Sequence, residues 1–195
     1  MDINDLPIDV DQLKKKLISK GYRFERDTIA IMGSEKMCNM VREMYGEKYQ
    51  IVALYNRCRN ADVNLYDLTP YEWAYAFRYF KIVFTTFFHG TLLSLRNGTP
   101  VICIALETEY SDTHTTKVAD FLKRVGLYEC YFNTDYQGTN YDKIKSKADE
   151  FMSGDYSDMI LDKMDQEAAS FDIFAKALMS ISELHKKGKG GNTYD

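Results

Sequence analysis

The sequence has no apolar run approaching the ~18 residues of a membrane-spanning helix, and its first ten residues, MDINDLPIDV, are acidic and without a signal-peptide core. A cytoplasmic protein without a membrane span is the expectation. The cysteines Cys38, Cys58, Cys103 and Cys130 form no CxxC pair and match no zinc spacing, so buried, idle thiols are expected, with no metal and no cofactor. GxGxxG, GxxxxGK[ST], GxSxG and HExxH are all missing. Nucleotide binding through a glycine-rich fingerprint is thereby disfavoured, and spacing places no Ser/His/Asp triad. A cationic surplus is lacking too: 25 Lys and Arg face 29 Asp and Glu, for a net charge of −4. That balance argues against a nucleic-acid partner but leaves room for a local basic pocket.

Hydrophobic residues make up 45% of the 195 positions and charged ones 28%, enough to bury a core. The length suits one domain with an appended helical segment. Three short apolar runs, Thr28–Met32, Gln50–Tyr55 and Lys81–Thr85, read as buried strands. Pro100–Leu106 is a fourth and Cys130–Asn133 a weaker fifth. Runs that are nearly continuous and β-branched fit parallel strands covered on both faces.

Helical patterns fill the gaps, over Val10–Ser19, Glu35–Tyr45, Pro70–Tyr79, a segment starting near His89–Thr91, and Thr116–Val125. The sharpest local signal is Leu68-Thr69-Pro70-Tyr71-Glu72-Trp73. It combines an N-cap threonine, a first-turn proline, the glutamate of a capping box and a Leu68–Trp73 hydrophobic staple. Gly126 suits the left-handed position just past a helix end. Strands alternating with helices imply an α/β fold: a Rossmann-like parallel sheet of four to five strands with helices on both faces. After Asn140 the pattern turns purely helical, over Tyr141–Met152 and Ile160–Lys186. The organisation expected is an N-terminal helix and linker over 1–27, a Rossmann-like domain over 28–140, C-terminal helices over 141–186 and a disordered tail over 187–195.

Ligands of open parallel sheets bind at the C-terminal ends of strands. That rule selects Gly33-Ser34, Asn56-Arg57-Cys58-Arg59, Thr86–Thr91 and Glu107–Thr116. The third is the most informative, because a strand runs into Phe-Phe-His-Gly-Thr and a helix starts at once. His89 then sits beside the first free helix amides, a ready anion site. It could donate to a phosphate, act as general acid or base, or simply cap the helix. Gly90 and Thr91 would offer amides, Gly90 admitting close approach, and Thr86 lies at the strand end. Thr116 and Lys117, at a helix start, could hold a carboxylate or phosphate. Glu107, Glu109, Asp112 and His114 precede them in a polar loop. Arg57 is a cleft-facing candidate, set against a reading of Arg57 and Arg59 as solvated loop charges.

The stretch LTPYEWAYAFRYFKIVFTTFFHGTLLSLRNGTPVICI, Leu68 to Ile104, resembles the polysaccharide pyruvyl transferase family, especially members with a Ser-Pro-x-Glu-Trp helix before a Ser-Phe-His-Gly turn. The likeness continues through Thr116–Leu122 and Val125–Leu127 and spans about Thr28 to Phe132. It implies half of a GT-B-like architecture, two Rossmann-like halves with a cleft between them. It also implies transfer of pyruvate from phosphoenolpyruvate to a sugar hydroxyl in surface polysaccharide synthesis, with a saccharide acceptor. By the same likeness His89 would contact the donor and protonate the enolpyruvyl group.

Two departures accompany it. Many members carry Arg-Leu-His-Gly at the turn, and here Phe87 stands where that arginine helps bind the donor. The family's N-terminal half, with its Gly-Asn-x-Gly-Asp segment, has no counterpart, so a fragment or a short homologue with half a cleft is expected. Such a half-cleft would expose apolar surface for self-association or for the missing half. The competing readings are a non-catalytic or truncated ligand-binding domain of the same fold, and a glycosyltransferase half.

Overall fold

A computed structural model describes residues 5–105, 116–133, 141–170 and 172–173. The elements run α1 (Val10–Ser19), β1 (Thr28–Met32), α2 (Glu35–Tyr45), β2 (Gln50–Leu54), β3 (Val63–Leu65), α3 (Pro70–Ala76), β4 (Ile82–Thr85), α4 (Phe88–Arg96), β5 (Val101–Ala105), α5 (Lys117–Arg124), β6 (Tyr131–Asn133) and α6 (Tyr141–Ser153). A last helix, α7, follows at 157–170. All six strands are parallel, in the order β3-β2-β1-β4-β5-β6.

This is the Rossmann-like α/β sheet expected, with one more strand than the four to five foreseen. β3 has only three residues, too few to show a period. Side chains hold it at the edge. The Asp62 carboxylate accepts from the Ile51 amide at 2.7 Å, and Asn64 both accepts from the Cys58 amide and donates to its carbonyl, at 2.8 and 3.1 Å. β2 stops at Leu54, one residue short of the run read in the sequence, because Tyr55 turns out of the strand with φ of +70°.

Strands β1 and β2 are buried at every position, which is why their sequences do not alternate. α4 and α6 both contact β4 and β5 and so cover opposite faces. α2 lies on the α6 side, where the Tyr45 hydroxyl donates to Asp149 at 2.9 Å. α1 lies on the α3 side and is part of the same body: Leu13 and Leu17 are fully buried, and Lys16 reaches Glu72 at 2.8 Å. The capping box is formed, with the Thr69 hydroxyl accepting from the Glu72 amide and Glu72 accepting from the Thr69 amide. After Ala76 that helix tightens into a 3-10 turn over Phe77–Tyr79. Gly126 follows α5 with φ of +65°, as read. The described C-terminal residues form two helices, α6 and α7, joined by a short link at 154–156; the tail lies outside them.

Candidate functional site

The strand order reverses direction between β1 and β4, which are neighbours although β1 is followed by β2 and β3 on its other side. Two crossovers leave this point on opposite sides of the sheet, opening a crevice beyond the strand ends where ligands collect. Helices α2 and α4 both begin there. Their first turns differ. Ser34 caps α2 by accepting from the Met37 amide. No side chain caps α4, whose N-cap residue is Phe87. Among the described residues the first turn of α4 therefore presents its amides without a side-chain partner, and a positive helix end faces the crevice.

His89 is the second residue of α4 and is exposed. Its ring meets the edge of Phe88, with centroids 6.0 Å apart and planes at 74°. Among the described residues it makes no hydrogen bond, so it does not cap the helix through its side chain. The turn that aims it is built by Thr85, which sequence reasoning did not single out. The Thr85 hydroxyl is fully buried, donates to the Met32 carbonyl at 3.1 Å and accepts from the Phe87 amide at 3.0 Å. One side chain thus ties the end of β4 to the end of β1 and fixes where α4 starts.

Two expectations are corrected. Gly90 does not open the backbone to a ligand. It is buried, and a Cβ built on it would lie 2.5 Å from Thr85 Oγ1 and 2.7 Å from Met32 Sδ. The missing side chain lets α4 press onto the sheet. Thr91 offers nothing to the crevice: it is fully buried, and its amide and hydroxyl both donate to the Phe87 carbonyl, at 3.1 and 3.2 Å. The helix's internal bonding begins at this residue, so the free amides are those of Phe88, His89 and Gly90.

Thr86 and Thr116 are brought together. They line a cavity of about 220 Å³ at the ends of β4, β5 and β6, with Cys103 and Tyr131. The Thr116 hydroxyl is engaged as the cap of α5, accepting from the Ala119 amide at 3.0 Å, and lies 3.4 Å from the Tyr131 hydroxyl. Tyr131 was not foreseen; a lone tyrosine in a weak strand carries no sequence signal. Lys117 opens α5 and is exposed, and Arg57 is exposed in the loop after β2. No hydrogen bond joins either to His89 among the described residues. Glu107, Glu109, Asp112 and His114 lie outside those residues. A larger cavity, about 810 Å³, is lined by residues 42–49 and by Lys145 and Asp149 of α6. It faces the N-terminal end of β2, away from the crevice, with Lys145 paired to Asp149 at 2.6 Å and Arg42 paired to Asp62 at 2.9 Å.

The four cysteines are all buried and free. Burial pushes the Cys103 and Cys38 thiols up to about 12, so neither is a nucleophile at neutral pH. No cluster of three or more metal-ligating side chains occurs among the described residues, and no described helix is long and apolar enough to cross a membrane.

The sequence model of the polysaccharide pyruvyl transferase family matches residues 5–108, which takes in β1 to β5 and the whole His89 turn. The chain belongs to the polysaccharide pyruvyl transferase family. The match starts further upstream than the resemblance read from Thr28, and it takes in α1, whose leucines fill the core. It stops before α5, so the likeness read at Thr116–Leu127 lies outside it. No curated protein matches the chain. Among solved structures it is similar to a candidate UDP-N-acetylglucosamine 2-epimerase from Listeria monocytogenes, at 15% identity and a TM-score of 0.47 over 73% of this chain and 42% of that one. It is also similar to the UDP-GlcNAc 2-epimerase from Neisseria meningitidis, at 12% identity and a TM-score of 0.49 over 79% and 44%. The chain spans less than half the length of either structure.

Proposed function

We propose that this domain serves pyruvyl transfer from phosphoenolpyruvate to a sugar hydroxyl in surface polysaccharide synthesis, as the donor-binding half of a GT-B-like cleft. The observation that carries the reading is an exposed histidine in the first turn of an uncapped helix, at the reversal point of the sheet, inside the residues that match the family. Donor phosphate at the free amides of α4 would complete hydrogen bonds that no side chain among the described residues completes. His89 would deliver a proton to C3 of the enolpyruvyl group, making it a methyl and C2 electrophilic. A sugar hydroxyl then adds at C2 as the C–O bond to phosphate breaks. A second hydroxyl closes the ketal, and of the two hydroxyl protons one replaces that given by His89 and the other leaves with phosphate. Thr86, Arg57, Thr116 and Lys117 are the remaining substrate-binding candidates. Gly90 would add its amide to the phosphate cradle while its missing side chain lets α4 pack on the sheet, and Thr91 would act through packing alone.

A second reading, a ligand-binding domain without catalysis, is favoured by Phe87. An aromatic ring there supplies no bidentate contact to a carboxylate.

The test is NMR of the His89 ring. Millimolar phosphoenolpyruvate and inorganic phosphate should both shift its resonances. His89→Gln keeps a neutral donor but cannot deliver a proton, so it should abolish turnover measured with the completed cleft. A ring indifferent to both ligands would withdraw the catalytic assignment. A response to ligand without turnover, measured with the completed cleft, would select the binding-domain reading.

A further inference from the structure

We propose that Tyr55 and Phe87 form an aromatic shelf that takes the C–H face of a pyranose ring, so that the saccharide acceptor docks over the end of β1. The proposal rests on the transferase reading above, and it assigns the acceptor side that reading leaves open. Tyr55 is 61% exposed, although it is a large aromatic residue directly following a fully buried strand. It is also the one non-glycine residue with positive φ among those described, at +70°. The Asn56 amide donates to the Leu54 carbonyl across it at 2.8 Å, closing a γ-turn of the rare, strained hand.

Glycine or asparagine would hold that backbone more easily than tyrosine. The turn therefore does not call for this side chain, and neither does the core, from which most of the ring is excluded. What the ring does have is Phe87, with centroids 5.5 Å apart and planes at 65°. Tyr55 follows β2 and Phe87 follows β4, while β1 lies between those strands. The two rings thus make a corner across the end of β1, where Gly33 contributes no side chain, with Tyr55 exposed and Phe87 half-buried.

The chemistry of the corner selects its occupant. Aromatic faces carry negative quadrupole density, so they repel a phosphate or carboxylate and attract polarised C–H bonds. The occupant is neutral, with one face of C–H groups and polar groups at its rim. Rim partners are at hand. The Asn56 side chain is fixed by its Nδ2 donating to the Gly33 carbonyl at 3.2 Å, Thr86 is half-buried, and His89 is exposed on the helix next to Phe87. A pyranose on the shelf would present its hydroxyls toward His89, where the donor reading needs a nucleophile. On this view Phe87 changes the character of the turn, from an anion clamp to a sugar contact.

The experiment is saturation-transfer NMR on the full chain with methyl hexopyranosides, and with uridine as a planar control. Wild type should bind at least one hexopyranoside and prefer it to uridine. Tyr55→Phe should bind within about twofold of wild type. Tyr55→Asn suits the positive φ, so it should melt no lower than wild type yet bind the sugar about tenfold more weakly. In Tyr55→Asn the His89 ring should still respond to inorganic phosphate, which separates the shelf from the donor site. No sugar binding by wild type, undiminished binding by Tyr55→Asn, a preference for uridine, or unfolding of Tyr55→Asn would each overturn the shelf. Sugar binding with a silent His89 would overturn the transferase reading and leave the shelf standing.

Discussion

Gly90→Ala gives opposite answers from the sequence and from the structure. Gly90 lies in the first turn of α4 with ordinary helical φ. On propensity alone, alanine there should stabilise the helix by up to about 1 kcal/mol. The packing says otherwise. The new methyl would sit 2.5 Å from Thr85 Oγ1, 3.1 Å from Thr85 Cβ and 2.7 Å from Met32 Sδ. The Met32 thioether can swing aside. Thr85 cannot, because its hydroxyl is held by the Met32 carbonyl and the Phe87 amide at 3.1 and 3.0 Å. Either α4 lifts off the sheet or that suture breaks. Two contacts under 3 Å, one of them to a held hydroxyl, put this site at the upper end of the ~1–3 kcal/mol that overpacking costs, which outweighs a propensity gain of up to about 1 kcal/mol and leaves a net loss of about 2 kcal/mol. Urea denaturation with a two-state fit reads it directly. In a Thr85→Ala background, where Oγ1 is gone, the same substitution should cost less, so a double-mutant cycle should show coupling of about 1 kcal/mol. Phosphate affinity should fall with stability, because the displaced turn carries the free amides. A Gly90→Ala protein as stable as wild type, or coupling near zero, would refute the account of this turn.

Thr69→Ala removes the cap of α3 and should cost about 1 kcal/mol in the same assay, even though Thr69 is exposed. Burial by itself would raise the Glu72 carboxyl, but Lys16 and the Thr69 amide outweigh it and hold the group below its ordinary value of 4.5. A depressed carboxyl stabilises above its unfolded value and stops doing so as pH falls through the folded one. Glu72→Gln should therefore be less stable than wild type at pH 7, with the gap closing in acid; a constant gap would show that the charge is irrelevant. All four thiols are buried, with those of Cys38 and Cys103 pushed up to about 12. A thiol reagent at pH 8 should label none of them in native protein and all four in denaturant. Rapid labelling of native Cys103 would contradict its burial beneath α4.

Short, β-branched, nearly continuous apolar runs alternating with helical patterns fit strands covered on both faces, so the parallel sheet was legible in the sequence. The Thr69–Pro70–Glu72 cap and Gly126 fixed helix ends because their signals are local, read from hydrogen bonds a few residues apart. His89 was legible for the same reason, since strand, histidine and helix start are adjacent in the chain. The strand order was not legible: β3 is three residues held by Asp62 and Asn64, contacts set by distance in space. Without it, the reversal between β1 and β4 has no place in the sequence. The close approach expected at Gly90 was misread because a missing Cβ looks alike whether a ligand or a neighbouring strand fills its space. Only the packing of α4 on Met32 and Thr85 decides between them. Thr91 was misread because its place one turn into the helix, bonded to the Phe87 carbonyl, depends on where α4 starts. Tyr55 looked like one more strand residue, and its positive φ and its meeting with Phe87 exist only once β2 and β4 stand on either side of β1.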